Sequence, residues 1–243
     1  MDDALDLEQL EQVRKLGTCA VSNAIETFNV RIRSEGFSKG PVRCIYELLG
    51  PMIGYAATGR IRSADPPVGG SGFVEHMEWW RYVQTLPLPR IVVLQDTDPS
   101  PGVGSFWDHV QVNVHLALGC VGTITDGAVR DVDKVAATGF HYFAGSTSVS
   151  PAYIHLIDFG APVEVGGLEI KHGDLIHADC NGVLSIPKQI AGRIPEAAQM
   201  ILDQQQQVID LCRSPGFSIE NLHAKSLELG YSIAGPGLHH RRG

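Results

Sequence analysis

The stretch RIVVLQDTDPSPGVGSFWDHVQVNVHLALGCVGTIT, residues 90–125, decides the fold class. It opens with the apolar run RIVVLQ, continues through a loop rich in Pro, Gly and Ser, and reaches a segment with helical spacing over residues 106–118. A second apolar run, VGTIT at 121–125, follows. Two nearly continuous apolar strands joined by one helix predict a parallel β-α-β unit with a right-handed crossover. The sequence therefore predicts an α/β fold.

The carboxyl ends of the two predicted strands mark the place where a ligand is expected. In parallel sheets, ligands gather in the crevice beyond these ends. Here the rule brings together Asp96, the loop 99–105, the start of the next helix and residues 126–131. The N–H groups of Gly102 and Gly104 in this loop could cradle an anion, but the third glycine of a dinucleotide fingerprint is missing. We therefore expect one crevice and no nucleotide fold.

Outside this unit, hydropathy patterns predict helices at both ends of the chain and strands between them. Helical spacing marks residues 7–28 with a break near Gly17, so Thr18 is expected to cap the second of two helices. The other predicted elements are strands and turns at 41–63, a helix at 73–85, a helix at 131–138, a strand at 141–145, short strands of an antiparallel or mixed sheet at 162–187, and a long helix at 190–212 that Pro195 divides near its start. We expect one domain over residues 1–213 and an extension over 214–243 with a mobile end.

The composition excludes several classes of function. The chain has 243 residues, 44% of them hydrophobic, so it can bury a sizeable core. Its formal net charge of -8 argues against a nucleic-acid partner. No basic and apolar leader opens the chain, and no apolar run reaches about 18 residues, so we expect a cytoplasmic protein without a membrane partner. Five scattered cysteines without a C-x-x-C pair predict reduced thiols rather than a zinc site.

The segment GTITDGAVRD, residues 122–131, carries the most informative chemistry. An apolar strand runs into a turn that ends on Arg130 and Asp131. The planar fork of an arginine can grip a carboxylate or a 2-oxo acid through two hydrogen bonds, and an adjacent aspartate is a hard oxygen ligand for Mg²⁺ or Mn²⁺. The pair can instead be structural, with Asp131 as the N-cap of the next helix and Arg130 as a surface partner. Spacing alone leaves both interpretations open.

The stretch GCVGTITDGAVRDVD, residues 119–133, resembles the RraA-like family, which includes 4-hydroxy-4-methyl-2-oxoglutarate aldolases. The similarity extends through HADCNGVLSIP at 177–187 and the long helix after it, and so over most of residues 15–212. The resemblance implies a swivelling β/β/α domain with flanking N- and C-terminal helices. It also implies a homotrimer or homohexamer with sites between neighbouring subunits.

The resemblance further implies roles for individual residues. Arg130 is implied to bind the carboxylate of a small 2-oxo acid substrate, and Asp131 to bind Mg²⁺ or Mn²⁺. The backbone at the start of the preceding helix is implied to complete the pyruvate site, at Asp108, His109, Val110 and Gln111. The implied reaction is retro-aldol cleavage of a 4-hydroxy-2-oxo dicarboxylate, with decarboxylation of oxaloacetate as a companion. Both reactions pass through a pyruvate enolate, whose negative charge a cation offsets.

Two regions depart from the family pattern. The family usually has Gly followed by Asp or Glu where this chain has Asp108 and His109, so a backbone contact gains a side chain and an acid becomes an imidazole. An imidazole transfers protons near neutrality, so His109 is a candidate catalytic base, or else an exposed residue of a first helical turn. In the aldolases, a glutamate on the C-terminal helix of a neighbouring subunit holds water on the metal. This chain has DQQQQ there, with Asp203 as the nearest carboxylate.

Three functions follow from these residues and the resemblance. The first is a divalent-metal-dependent carbon-carbon lyase that cleaves or decarboxylates a short 2-oxo acid. The second is a non-catalytic RraA-like regulatory protein that binds a ribonuclease or another protein partner, with the change at Asp108 and His109 marking lost catalysis. The third is a lyase retuned to another 2-oxo or hydroxy acid, with the loop 99–105 and Trp107 shaping its pocket.

Overall fold

The computed structural model describes residues 5–67 and 76–230, which form a mixed α/β protein. The α-helices are α1 (Leu7–Arg14), α2 (Thr18–Thr27), α3 (His76–Gln84), α4 (His109–Ala117), α5 (Val132–Ala136), α6 (Lys188–Ala191), α7 (Ile194–Arg213) and α8 (Ile219–Leu229). The β-strands are β1 (Arg43–Cys44), β2 (Met52–Arg62), β3 (Arg90–Asp96), β4 (Ser105–Trp107), β5 (Cys120–Thr125), β6 (Ala128–Val129), β7 (His141–Ala144), β8 (Ser146–Thr147), β9 (His155–Phe159), β10 (Val163–Val165), β11 (Leu168–Ile170), β12 (Leu175–Asp179) and β13 (Gly182–Ile186). No helix within these two ranges is long and apolar enough to cross a membrane.

The central sheet is built around the predicted parallel unit. β2, β3, β5 and β7 lie side by side and run parallel, and α4 connects β3 to β5. β1 adds to the outer edge of β7, while β12 and then β13 extend the sheet on the other side of β2, all in antiparallel pairs. β9 also pairs with β2, along a later part of that strand. The β-α-β unit is therefore confirmed, and the short strands of 162–187 belong in part to the same mixed sheet.

The side chains of β3 show how the core is divided between two layers. Successive side chains of a strand point to opposite faces of its sheet. Val92 and Leu94 are buried in a cluster with apolar residues of α1, α2 and α7, whereas Ile91 and Val93 are buried against residues of the antiparallel hairpin of β10 and β11. The layers therefore follow the order hairpin, central sheet, helices.

A second, small sheet holds the region where the crevice was expected. β4, β6 and β8 are two or three residues long and pair in parallel. The expected start of the helix at 106–118 is wrong, because residues 105–107 are extended and pair with β6. The helix begins only at His109, after Asp108 has capped it. This shift of three residues places the start of α4 beside the end of β6.

The expected cap of α2 is also wrong. Gly17, not Thr18, stands at the N-cap position and contributes no side chain. The N–H of Thr18 instead donates to the carboxylate of Asp179 at 2.7 Å, so the cap comes from a distant strand. Asp179 also accepts from the N–H of Asn181 at 2.8 Å and so orders the turn between β12 and β13.

Helix ends differ from expectation elsewhere in the second half of the chain. The helix expected at 131–138 is shorter, since α5 covers only five residues. The long helix divides into α6 and α7, and Pro195 lies in the first turn of α7, as expected from its missing N–H. The extension after 213 contains α8. The expected mobile end of the chain, and the first three residues of the helix expected at 73–85, lie outside the described residues.

Candidate active site

The candidate site lies where α4 begins and β6 ends. β4 and β6 pair in parallel, with Trp107 opposite Val129, so the residues after them leave the small sheet side by side. The N–H of Arg130 donates to the carbonyl of Trp107 at 3.1 Å. This bond fixes the backbone of Arg130 beside Asp108. The pairing of two very short strands therefore brings together both parts of the site that the sequence predicts.

Asp108 is the N-cap of α4 and holds its first turn. Its backbone is extended, and its Oδ1 accepts from the N–H of Gln111 at 2.8 Å. A capping aspartate of this kind contributes about 1 kcal/mol to stability. Oδ2 of the same carboxylate accepts from Nη2 of Arg130 at 2.7 Å. Asp108 thus connects the helix start to the arginine through its two oxygens.

Arg130 retains an unused donor in this arrangement. Its side chain is 28% exposed, yet its Nε is buried and has no hydrogen-bond partner within residues 5–67 and 76–230. Nε and Nη2 share one edge of the guanidinium, which is the edge that grips a carboxylate with two parallel hydrogen bonds. The side-chain oxygen of Gln111 is likewise buried without a donor in the described part of the chain. Buried polar atoms are rarely left unpaired, so both mark a place for a polar ligand or water.

Asp131 occupies the N-cap position of α5 but does not cap that helix. Its backbone is left-handed, with φ 54°, and its side chain accepts no capping hydrogen bond from a backbone N–H of the first turn of α5. Oδ2 instead accepts from the N–H of His109 at 3.1 Å, and Oδ1 lies 3.7 Å from Nζ of Lys134. The His109 N–H, together with the charges of Lys134 and Arg130, lowers the pKa of Asp131. The expected capping of α5 by the Asp131 side chain is therefore wrong, and the carboxylate lies between the N–H of His109 and the ammonium of Lys134.

Two tyrosines that no sequence motif indicates hold the turn around Arg130. The hydroxyl of Tyr46 donates to the carbonyl of Val132 at 2.6 Å, and that of Tyr142 donates to the carbonyl of Arg130 at 3.4 Å. Their rings stack with centroids 5.6 Å apart. Burial raises the pKa of both phenols, so both remain protonated donors. No local pattern indicates them, because they come from the segment before β2 and from β7.

His115 connects the first part of α4 to α3. Its Nδ1 lies 2.7 Å from the carbonyl of Gln111, and its Nε2 accepts from Nε1 of Trp79 at 2.9 Å. The imidazole is completely buried, and this burial lowers the pKa of His115 to about 4. The neutral ring thus has one defined tautomer, with the proton on Nδ1. This contact ties the helix that carries Asp108 to α3.

The other two predicted site residues, His109 and Val110, contribute to the site in different ways. The backbone of His109 binds Asp131, and its imidazole lies partly exposed in the first turn of α4. Val110 points its side chain outward, with 68% of the residue exposed, so only its backbone can serve the site. Its N–H has no hydrogen-bond partner within residues 5–67 and 76–230. An unpaired N–H at the positive end of a helix favours an anionic oxygen.

The glycine loop does not form the anion cradle that the sequence suggests. The N–H of Gly102 donates to Asp96 at 2.8 Å, and that of Gly104 donates to the hydroxyl of Ser63 at 2.9 Å. Both donors are therefore used by side chains of the chain itself. Gly104 also precedes β4 rather than a helix, so no helix dipole adds to its N–H.

The metal assignment depends on one carboxylate in this chain. Within residues 5–67 and 76–230 there is no group of three or more His, Cys, Asp or Glu side chains that could hold a metal ion. Mg²⁺ usually takes only one or two carboxylates and keeps several waters, so Asp131 fits a single-carboxylate site. Asp203 lies on an exposed part of α7, where its Oδ1 accepts from Gln199 at 2.7 Å. In a single chain, the carboxylate of Asp203 is therefore hydrogen-bonded to a residue of its own helix, α7.

Comparison with known proteins gives one family and a set of partial relatives. The family model described as RraA-like: Aldolase/RraA matches residues 18–185. A protein of Halalkalibacterium halodurans named "Putative 4-hydroxy-4-methyl-2-oxoglutarate aldolase" is 38% identical over 72 residues, 29% of this chain and 34% of that protein. An uncharacterised protein of Methanocaldococcus jannaschii is 32% identical over 138 residues, 56% of this chain and 66% of that protein. The chain thus spans less than two-thirds of the length of these curated relatives.

Two solved structures match over most of the chain. An uncharacterised protein from Pseudomonas syringae has a TM-score of 0.70 at 19% identity, covering 90% of this chain and 94% of its own. RraAS2 of Streptomyces coelicolor, described as an unusual member of the RNase ES inhibitor RraA protein family, has a TM-score of 0.63 at 19% identity, covering 85% of this chain and 96% of its own. At such identities the likeness shows the fold alone, and the expected swivelling β/β/α arrangement is confirmed.

Proposed function

The chain belongs to the RraA-like family, and on that premise we propose that it is a divalent-metal-dependent lyase that cleaves or decarboxylates a short 2-oxo acid. One observation carries the proposal: Arg130 and Asp131 both turn their side chains towards the amino-terminal end of α4, where they contact Asp108 and His109. A fixed cation, a carboxylate and a helix N-terminus then lie together, which suits a ligand with a carboxylate and a polarised carbonyl.

The proposed cation is Mg²⁺ or Mn²⁺, held by Asp131. The N–H of His109 lowers the pKa of Asp131 and so favours its charged form, and the side chain is 33% exposed and accessible to a cation. When bound, such a cation would supply Lewis-acid stabilisation of the negative charge that develops on the 2-oxo group. The side chain of Asp131 is positioned for this by its left-handed backbone at the start of α5 and by the hydrogen bond that its Oδ2 accepts from the N–H of His109.

The residues of the chain take the other parts of the reaction. Arg130 binds the substrate carboxylate through its guanidinium, and its unpaired Nε is one donor for that purpose. The free N–H of Val110 donates to a carboxylate or enolate oxygen at the positive end of α4. The imidazole of His109, in the same turn, accepts the proton of a substrate hydroxyl or donates one to the C3 carbon of the pyruvate enolate.

We further propose that the protein works as a homotrimer or homohexamer with sites between subunits. An exposed apolar face of α7 supports this, because Leu202 and Ile209, which are seven residues apart and so lie on the same side of the helix, both have exposed apolar side chains. Asp203 lies on the same helix, and a neighbouring subunit could bring it to the site. Light scattering after size-exclusion chromatography measures the oligomer. A monomer at assay concentration would contradict this part of the proposal.

The experiment that tests the lyase is a coupled assay for pyruvate release. Oxaloacetate and 4-hydroxy-4-methyl-2-oxoglutarate are the substrates, each with Mg²⁺ or with EDTA, and protein-free samples correct for spontaneous decarboxylation. The Asp131→Asn variant should lose at least about 100-fold in turnover, since the cation contributes several kcal/mol to the transition state. Asp133→Asn, which changes an exposed carboxylate two residues away, is the matched control and should retain activity. Turnover that persists in EDTA or in Asp131→Asn contradicts the proposal.

A second candidate function is a regulatory protein that binds a ribonuclease without catalysis. The observation that favours it is the ion pair of Asp108 with Arg130, since an arginine already held by the chain is less available to a substrate. Capture of a ribonuclease that the Arg130→Ala variant also captures, together with no turnover of either 2-oxo acid, would support this function. Metal-dependent turnover would favour the lyase instead.

A further inference from the structure

The carboxylate of Asp108 occupies the edge of Arg130 that a ligand carboxylate would use. Its Oδ2 lies 2.7 Å from Nη2, while Nε on the same edge has no partner in the described residues. A ligand carboxylate that grips this edge with both oxygens needs Nη2 as well as Nε. At Nη2, a ligand carboxylate therefore meets Oδ2 of Asp108.

We propose that Asp108 is a specificity-determining residue that competes with the ligand carboxylate for Arg130, so that a 2-oxo acid binds fully only when it displaces Asp108 from Nη2. This inference rests on the proposed function in that the ligand is taken to be a 2-oxo acid. It goes beyond that function because it assigns the selectivity of the site to the side chain of Asp108.

The geometry allows this displacement without unfolding the helix start. Asp108 caps α4 through Oδ1, which accepts from Gln111 at 2.8 Å, and contacts Arg130 through the other oxygen. The cap can therefore remain while the ion pair opens. The backbone of Arg130 stays in place, because Trp107 and Tyr142 hold its N–H and its carbonyl. Only two partly exposed side chains have to move.

Charge adds to the competition. Asp108 and Asp131 together offset the charges of Arg130 and Lys134, whereas removal of the Asp108 charge would leave one positive charge in excess. A monoanionic ligand would then gain both a free guanidinium edge and a more favourable field. For this reason the wild-type site should bind a 2-oxo acid weakly when Arg130 is its only charged partner. It should prefer a 2-oxo acid whose oxygens also reach a cation on Asp131.

The test measures affinity for oxalate, a stable analogue of the pyruvate enolate, by calorimetry in the presence of Mg²⁺. Asp108→Asn removes the charge but keeps a good N-cap, and it should bind oxalate about tenfold or more tightly than wild type, as expected for a released charge-assisted hydrogen bond. Asp108→Ser, which also caps, should behave alike. The matched control is Asp158→Asn, because Asp158 pairs with Arg60 on β2 and β9.

A second readout does not require metal or turnover. The ¹⁵N-detected NMR signal of the Arg130 Nε–H should shift on titration with pyruvate in metal-free buffer, at lower pyruvate concentration in Asp108→Asn than in wild type. Oxalate affinity and pyruvate titration that are the same in wild type and both Asp108 variants would overturn the proposal, even with metal-dependent turnover intact. Tighter oxalate binding in both Asp108 variants without any turnover would support it and contradict the lyase.

Discussion

Replacement of His115 by Phe should weaken the fold at neutral pH and make it less sensitive to acid. In the wild type, Nε2 of His115 accepts from Nε1 of Trp79 inside the core, and the ring is completely buried. Phenylalanine fills a similar space but leaves the indole N–H without an acceptor. An unpaired buried donor costs about 1–3 kcal/mol, so the free energy of unfolding near pH 7 should fall by this amount.

The effect of acid follows from the pKa of His115, which burial lowers to about 4. The unfolded state, with an ordinary pKa of about 6.5, binds a proton before the folded state does. The stability that the neutral ring contributes is therefore complete above about pH 6.5 and is lost as pH falls towards 4. Between pH 7 and pH 5 the loss should be about 2 kcal/mol, since each pKa unit of difference corresponds to about 1.4 kcal/mol.

Urea unfolding of both proteins, followed by circular dichroism at pH 7 and pH 5, checks this value. The variant lacks the titrating group, so the stability difference between wild type and His115→Phe should shrink by about 2 kcal/mol on acidification. Comparing the two proteins cancels the contributions of His141 and His177, whose pKa values burial also lowers to about 4. Replacement of the exposed His223 is the control. A stability difference that is equal at both pH values would refute the reasoning.

Two further substitutions test the supports of the site and of the neighbouring loop. Tyr46→Phe removes the 2.6 Å hydrogen bond to the carbonyl of Val132, and urea unfolding should show a loss of about 1 kcal/mol; unchanged stability would mean that the bond contributes nothing. Asp98→Ala removes a fully buried carboxylate that accepts from the N–H and hydroxyl of Ser63 and from the N–H of Ala64. Thermal unfolding should show a loss of about 3 kcal/mol or more, and a loss near zero would contradict the role of Asp98 in ordering this loop.

Long elements with a clear hydropathy period could be predicted from the sequence. Strands β3 and β5 are apolar over most of their length, and the helix between them is long enough to leave only a parallel crossover. The short strands β4, β6 and β8 could not be predicted, because two or three residues carry no period. Their pairing arises only when the ends of β3, β5 and β7 have been brought together by the large sheet.

The site shows the same division between local and tertiary information. A D-G-x-V-R-D pattern is local, so the sequence points to Arg130 and Asp131 directly. The partners of these residues depend on tertiary structure, and the left-handed backbone of Asp131 places its carboxylate within reach of the N–H of His109. The pairing of Asp108 with Arg130 joins two segments that α4 and β5 separate along the sequence. No spacing rule could therefore have shown that the chain supplies a carboxylate for its own arginine.

The long strand β2 also affects how the chain is completed during synthesis on the ribosome. One edge of β2 pairs with β3, which follows soon after it. The other edge pairs with β12 along residues 52–55 and with β9 along residues 59–62, and both partners come from the last part of the domain. A nascent or truncated chain that stops before His155 would present this edge unpaired. Such an edge is a template for pairing with another chain, so incomplete products should tend to aggregate until the late strands are made.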